Sequence, residues 1–180
     1  MSKKFLSIRE ICYIAVFTAV IAALSPLSIP MPHVSITLSS FVIPFAAVVL
    51  GAKRGTIAAI AYLLLGALGM PIFSNFGSGL GMLIGPTGGF LFAFPVYAFW
   101  AGWGADRARL VFLAGGLLLG VTLLYVGGIA QWSFVTGNGP LVALTWVVPL
   151  LPTEVLKVVL AGVLGRKARV ILGPYTLPDS

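Results

Sequence analysis

The amino-acid sequence predicts an all-α membrane protein, with six spanning helices in one domain that covers residues 1–180. Hydrophobic residues make up 59% of the 180 residues, and charged residues make up only 8%. This composition leaves too little polar material to cover a water-soluble globule. Because a spanning helix needs about 20 apolar residues, the chain has room for roughly six spans and short connections.

Six apolar stretches follow one another along the chain. They cover residues 11–29, 38–52, 56–69, 88–103, 110–135 and 141–164. Pro44, Pro95 and Pro149 interrupt three of them, which predicts kinks shielded by neighbouring helices. The segment 168–180 follows the last stretch, and we expect it to fray.

The basic residues predict the orientation of these helices. Ten of the 11 lysines and arginines fall at the chain ends or in connections that would share one side of the membrane. They are Lys3, Lys4, Arg9, Lys53, Arg54, Arg107, Arg109, Arg166, Lys167 and Arg169. By the positive-inside rule that side is cytoplasmic, which predicts a multi-pass plasma-membrane protein with both termini inside and the loops around His33, Phe76 and Asn138 outside. The charges lie in the gaps between apolar stretches, which argues against a nucleic-acid partner despite the net charge of +7.

The first stretch allows a second interpretation. Lys3 and Lys4, the apolar run and the small residues before Pro26 are also typical of a cleaved signal peptide over residues 1–25. Removing that segment would leave the other five stretches oriented as before, so the charge bias does not discriminate. N-terminal sequencing of the mature protein would decide.

Glu154 and Lys157 are ionisable side chains inside an apolar stretch, where charge is costly. The i, i+3 spacing puts them on one helix face, where they can neutralise each other and point together into the bundle. One interpretation is a structural ion pair. The other is a substrate site, which is favoured because the pair lies near the outer end of its helix. The lone Cys12 and His33 predict neither a disulfide nor a metal site.

The segment 70–90 is rich in glycine yet hardly charged, unlike most exposed connections. Its glycines let the backbone approach a ligand, while Phe73 and Phe90 supply apolar walls and Asn75 a hydrogen-bonding amide. A pocket lining and a tight loop that caps the bundle both fit this composition. A phosphate loop is not indicated, because no Gly-Lys-Ser/Thr follows.

Small residues form a stripe in the first stretch. Ala15, Ala19 and Ala23 recur at every fourth position, which gives a smooth face on which another helix can pack or slide. Alanine is common in such helices, so the pattern alone leaves a partner-binding face and ordinary composition equally open.

These features, in this order, resemble the BioY family of biotin-binding subunits over residues 9–166. The most specific match is the run Gly-Pro-Thr-Gly-Gly-Phe at residues 85–90, which is similar to the family's GPTGGY. Residues 36–41 are similar to its Thr-Leu-Gln-Thr-Phe segment, and Glu154 and Lys157 align with its Asp-x-x-Lys. Ser39 stands where the family usually has Gln.

The resemblance implies the six-helix bundle of an S component, the substrate-binding subunit of an energy-coupling-factor (ECF) transporter of the ABC type. Such a subunit binds biotin with high affinity, is not an enzyme and needs no cofactor. Its alanine stripe would dock onto a transmembrane coupling protein whose paired ATPase subunits alone use ATP. The expected substrate-binding residues are Glu154, Lys157, Asn75, Phe73, Gly85, Thr87, Gly88, Phe90 and Ser39.

We expect the two polar ends of biotin, the ureido ring and the carboxylate, to contact different groups of the protein. Glu154 accepts a hydrogen bond from a ureido N–H, Asn75 orients the ring, and Lys157 neutralises Glu154 while donating to the ligand. Amides near Thr87 and Gly88 receive the carboxylate. The residues leave the reverse orientation open, with Lys157 on the carboxylate.

Three other classes of protein remain as alternatives. An S component for another vitamin would share the topology. A membrane enzyme would need a catalytic set at depth, and no His or Cys accompanies Glu154 and Lys157 in sequence. A channel would more often show charged or hydroxyl-rich rings contributed by several helices.

Overall fold

The computed structural model describes residues 7–30, 35–107 and 109–176, so Lys3, Lys4 and His33 lie outside the described residues. Within these ranges the chain forms helices and one small hairpin. The helices are α1 (Ile8–Leu24), α2 (Ser39–Leu50), α3 (Ala52–Ala67), α4 (Leu80–Ile84), α5 (Gly88–Asp106), α6 (Leu110–Thr136), α7 (Pro140–Val147) and α8 (Leu151–Thr176). The hairpin pairs β1 (Ser28–Ile29) with β2 (Ile36–Thr37), and 3-10 turns cover Ser74–Phe76 and Val148–Leu150.

The first helix is shorter at its C-terminal end than the sequence predicts. It begins at a capping box, in which Ser7 Oγ accepts from the Glu10 N–H at 3.2 Å and Glu10 Oε2 accepts from the Ser7 N–H at 2.8 Å. It ends at Leu24: Ser25 keeps helical backbone angles (φ −62°, ψ −35°), and Pro26, which has no N–H, cannot continue the helical hydrogen bonding. The last residues of the predicted stretch 11–29 therefore enter the hairpin, a feature that the all-α prediction missed.

The second helix lies at the centre of the bundle. Ten of the twelve residues of α2 are buried, and the helix packs against α1, α3, α5 and α8. A helix of this length is only about 18 Å long, less than the thickness of a hydrocarbon core of about 30 Å. Because protein rather than lipid surrounds α2, its shortness and its internal Pro44 are tolerated.

Helices α5 and α6 pack closely along their lengths because glycines line their contact. A Cβ on Gly89 would collide with the carbonyl of Gly127, and a Cβ on Gly128 would collide with the ring of Phe90.

The outer faces of the bundle are apolar instead of charged. Large exposed side chains on these faces include Val16, Leu64, Phe92, Val126 and Val155.

Two helical segments among the described residues are each long and apolar enough to cross a bilayer. They are Leu110–Thr136 and the continuous segment Pro140–Leu172, which joins α7 to α8 through the second 3-10 turn. The other helices fall short of that length or composition. The chain is therefore mostly helical as predicted, while the number of six spans stays a prediction.

The last helix does not fray where the sequence predicts. Fraying was expected from residue 168, but α8 continues to Thr176. Arg169 anchors it: Nη1 donates to Val48 O at 3.0 Å, and Nη2 donates to Asp106 Oδ1 at 2.6 Å. Asp106 Oδ2 also accepts from the Ala52 N–H at 2.9 Å. This arginine network, formed by Arg169, Asp106, Ala52 and Val48, joins α2, α3, α5 and α8 at one end of the bundle.

Candidate substrate-binding site

A cavity of about 160 Å³ lies at the end of the bundle opposite the arginine network. It is formed by the first turns of α2, α5 and α8 and the second half of α6, beneath the hairpin and the first 3-10 turn. Six of the predicted site residues line it, namely Ser39, Phe73, Asn75, Thr87, Phe90 and Glu154. The lining also includes Ser35, Thr37, Ser40, Leu124, Tyr125 and Leu150.

Within the described ranges of the chain, Glu154 is the only charged residue in that lining, and it is only 7% exposed. Its Oε1 lies 2.6 Å from Lys157 Nζ and 3.1 Å from Ser40 Oγ. Its Oε2 is buried and has no hydrogen-bond partner among the residues that the structure describes. Leaving a buried carboxylate oxygen unpaired is costly, so this atom is available to a donor in the cavity.

Lys157 does not line the cavity but holds Glu154 in place. Its ammonium group donates to Thr37 O at 2.9 Å, to Ser40 Oγ at 3.1 Å and to Glu154 Oε1 at 2.6 Å. An ammonium group has three donors, and these contacts use all of them. The predicted i, i+3 pair therefore forms, with Lys157 as the residue that positions the carboxylate.

Asn75 ties the glycine-rich segment to the hairpin. Its backbone is left-handed, with φ 55° and ψ 37°, a conformation that asparagine adopts more readily than most residues. The side-chain carbonyl accepts from Ser28 Oγ at 2.9 Å, and the side-chain amide donates to Ser35 Oγ at 2.9 Å. The backbone N–H also donates to Ser28 Oγ, at 3.0 Å. These contacts fix the segment that roofs the cavity.

Two aromatic rings supply the apolar walls that the sequence predicts. Phe73 is fully buried, with its ring packed on Gly66 and edge-on to Tyr62 at 5.6 Å between centroids. Phe90 lies edge-on to Tyr125 at 5.8 Å. Edge-to-face contacts of this kind hold the rings in fixed orientations.

Gly85 and Gly88 lie behind the lining rather than in it. The Gly88 N–H donates to Gly85 O at 3.0 Å, and a Cβ on Gly88 would collide with Leu83 O. Both positions are held by Gln131 of α6, whose Nε2 donates to Leu83 O at 2.7 Å and to Gly85 O at 2.9 Å. The two glycines thus allow the segment to pack on α6.

Gln131, Ser40 and Thr37 were not predicted as site residues from the sequence. A signal existed for Gln131, since it is the only amide side chain among the 27 residues of the mainly apolar helix α6. Ser40 and Thr37 gave no comparable signal, because a hydroxyl in an apolar stretch commonly bonds to its own helix backbone. Their role depends on α8, which follows more than a hundred residues later.

The bundle and its cavity define a class of protein: a helical membrane protein with a cavity at one end, beside a buried carboxylate. The model of the BioY family matches residues 1–173. The chain belongs to the BioY family, which confirms the resemblance carried by its motifs.

Individual relatives match over almost the whole chain. The biotin transporter BioY of Thermotoga maritima is 34% identical over 163 residues, which cover 89% of this chain and 96% of the relative. The biotin transporter BioY of Rhizobium etli is 34% identical over 186 residues, which cover 96% and 98% of the two chains.

A solved structure has the same fold. It is the crystal structure of the S component for biotin from an ECF-type ABC transporter, with a TM-score of 0.83 and 28% identity. The match covers 91% of this chain and 92% of that one. The family and this neighbour are transporter components and not enzymes, as the sequence predicts.

Proposed function

We propose that this chain binds biotin and serves its uptake as the substrate-binding subunit of an ECF-type ABC transporter. The observation that carries this proposal is the buried Oε2 of Glu154, an acceptor beside the cavity that has no partner within the described part of the chain. Biotin carries a ureido ring with two N–H donors, an apolar thiolane ring and chain, and a carboxylate. Family membership and the biotin transporters among its relatives support the same ligand.

In this proposal Glu154 accepts a hydrogen bond from a ureido N–H, while Phe73 and Phe90 contact the apolar part of the ligand. Asn75 keeps its hydrogen bonds to the hairpin and borders the ring. The carboxylate of biotin extends towards Thr87, at the start of α5. The full use of the Lys157 donors favours this orientation over the reverse one, in which Lys157 would have to leave Thr37 and Ser40 to reach the carboxylate.

The cavity volume of about 160 Å³ lies below the roughly 300–1,000 Å³ of most small-molecule sites. A vitamin-sized ligand therefore needs lining side chains to move outward. The hairpin and the first 3-10 turn lie at the open end of the bundle, and the hydrogen bonds of Asn75 would let them move outward together as one segment. Binding would then close this segment over the ligand.

The proposed topology has six crossings, formed by α1, α2, α3, α5, α6 and the joined α7 and α8, with both termini in the cytoplasm. The arginine network and the exposed Arg166 and Lys167 lie at the end of the bundle away from the cavity. The positive-inside rule puts that end in the cytoplasm. The cavity then opens to the outside, where a scarce vitamin is captured.

The first helix carries the proposed docking face. Ala15, Ala19 and Ala23 are all exposed, whereas Ile14 and Phe17 on the other face are buried in the bundle. Small exposed side chains let a second helix approach closely within a membrane. The partner in this proposal is the transmembrane coupling protein, with its paired ATPase subunits.

Replacing Ala19 with Trp tests the docking face. We expect the variant to lose co-purification with the coupling protein while its biotin affinity stays unchanged, because Ala19 is exposed and is not one of the residues that line the cavity. Val126→Trp is a matched control, since it puts the same bulk on an exposed site of α6. Equal co-purification of both variants with the coupling protein would contradict the docking proposal.

The proposed ligand is tested by calorimetric titration of the purified, detergent-solubilised chain with biotin, thiamin and riboflavin. We expect heat of binding with biotin and none with thiamin or riboflavin at the same concentrations. Any weak binding of the other two vitamins should be abolished by excess biotin. Preference for thiamin or riboflavin would identify an S component for another vitamin. Biotin flux into vesicles that lack the ATPase subunits would instead indicate a channel.

A further inference from the structure

A second large concavity lies on the outer surface of the bundle, between α6 and α8. These helices make few contacts with each other and leave a groove of about 780 Å³. Its walls are almost wholly apolar, with Leu113, Leu117, Leu118, Val159 and Val163 among them. We call it the α6–α8 groove. It shares no lining residue with the substrate cavity.

One end of the α6–α8 groove is strongly basic. Arg166 and Lys167 belong to its lining, and a notch of about 30 Å³, lined by Arg109, Arg166 and Arg169, adjoins it. Groove and notch share Leu110, Leu113 and Arg166, so the apolar surface runs directly into a cluster of cations.

Most of this positive charge is uncompensated. Asp106 pairs with Arg169, at 2.6 Å. Arg109, Arg166 and Lys167 are exposed and form no salt bridge within residues 7–30, 35–107 and 109–176. An apolar groove that ends in several free cations is complementary to an amphiphile with an anionic head.

We propose that the α6–α8 groove binds an anionic phospholipid, with an acyl chain along the apolar walls and the phosphate at Arg109, Arg166 and Lys167. Guanidinium groups bind phosphate oxygens in a bidentate manner, and basic pockets between transmembrane helices on the cytoplasmic side bind anionic headgroups. The proposal rests on the membrane orientation proposed above and is independent of the ligand in the cavity.

The length of the groove fits one leaflet of a bilayer. Along α8 it runs from Val158 to Ile171, which corresponds to about 20 Å of helix. Half of a hydrocarbon core is about 15 Å thick, so an acyl chain and the phosphate above it match this span. Because α6 and α8 also contribute Leu124, Tyr125 and Glu154 to the substrate cavity, a bound lipid would help to fix the separation of these two helices there.

The proposal is tested by native mass spectrometry of the full chain, released from vesicles of equal parts phosphatidylglycerol and phosphatidylcholine. We expect the wild-type protein to retain phosphatidylglycerol, and the double variant R166Q/K167Q to retain at least tenfold less. The double variant R9Q/K53Q is the matched control, because it removes two exposed basic residues elsewhere and should retain phosphatidylglycerol like the wild type. A single symmetric size-exclusion peak and an unchanged far-UV circular dichroism spectrum verify that each variant is folded.

A second variant tests the apolar part of the groove. Val163→Trp fills it without changing charge and should also reduce phosphatidylglycerol retention. Equal retention by R166Q/K167Q and R9Q/K53Q would overturn the proposal, as would equal retention of phosphatidylcholine by the wild type. The proposal would also fail if groove residues cross-linked to a second copy of the chain, or to the coupling protein, in place of lipid.

Discussion

Replacing Glu154 with Gln is expected to weaken biotin binding roughly ten- to hundredfold. The amide keeps the size of the side chain but removes the charge that faces the ureido N–H and balances Lys157. A hydrogen bond to a charged group contributes about 1.5–3 kcal/mol, and about 1.4 kcal/mol corresponds to a tenfold change in affinity. Calorimetric titration of the purified variant measures the loss directly.

Two controls separate this effect from general damage. Glu154→Asp keeps the charge and matches the residue usual in the family, so its affinity should fall less than that of Glu154→Gln. Glu10→Gln removes a carboxylate from the other partly buried ion pair, the one with Arg54 at 2.9 Å, far from the cavity. It should leave biotin affinity unchanged. A Glu154→Gln variant that binds biotin like the wild type would show that the site lies elsewhere.

The parts of the fold that depend on local composition were predictable from the sequence. Runs of apolar residues fixed the approximate positions of the main helices, and α6 coincides with its predicted stretch to within one residue. Glu154 and Lys157 were also predictable as a pair, because charge inside an apolar helix is rare and the i, i+3 spacing puts both residues on one face. The motif at residues 85–90 indicated the family, which composition alone does not identify.

Contacts between distant parts of the chain were not predictable in this way. Ser40 belongs to the site because its hydroxyl accepts a hydrogen bond from Lys157. Gln131 belongs to it because its amide donates to the carbonyls of Leu83 and Gly85. The fraying predicted from residue 168 was wrong for the same reason, because Arg169 bonds to Val48 and Asp106. A single sequence shows which groups are polar but not which partners the fold brings to them.

Gly85 and Gly88 illustrate this limit within the site itself. Their spacing indicated backbone close to a ligand, and the structure does place backbone in close contact there. The contact is with α6, through Gln131, and not with the cavity. A glycine indicates that another group can approach the backbone closely. Only the fold determines whether that group belongs to a ligand or to a neighbouring helix.

Replacing Lys157 with Ala is expected to lower both the thermal stability of the protein and its affinity for biotin. The substitution removes donors from Thr37 O, Ser40 Oγ and Glu154 Oε1, and leaves a buried carboxylate without its cation. Breaking a buried ion pair from one side costs about 3–5 kcal/mol. Part of this cost falls on folding, and the misplaced carboxylate should weaken biotin binding about tenfold or more. Thermal unfolding and titration measure the two losses separately.

The double variant Glu154→Gln/Lys157→Ala separates a positioning role from a direct contact with the ligand. If Lys157 acts through Glu154, the loss of affinity in the double variant should be close to that of Glu154→Gln alone, because the group that Lys157 positions has already been removed. Additive losses would mean that Lys157 itself contacts biotin and that the reverse orientation is correct. Lys53→Ala, an exposed lysine at the other end of the bundle, is the matched control and should change neither stability nor affinity.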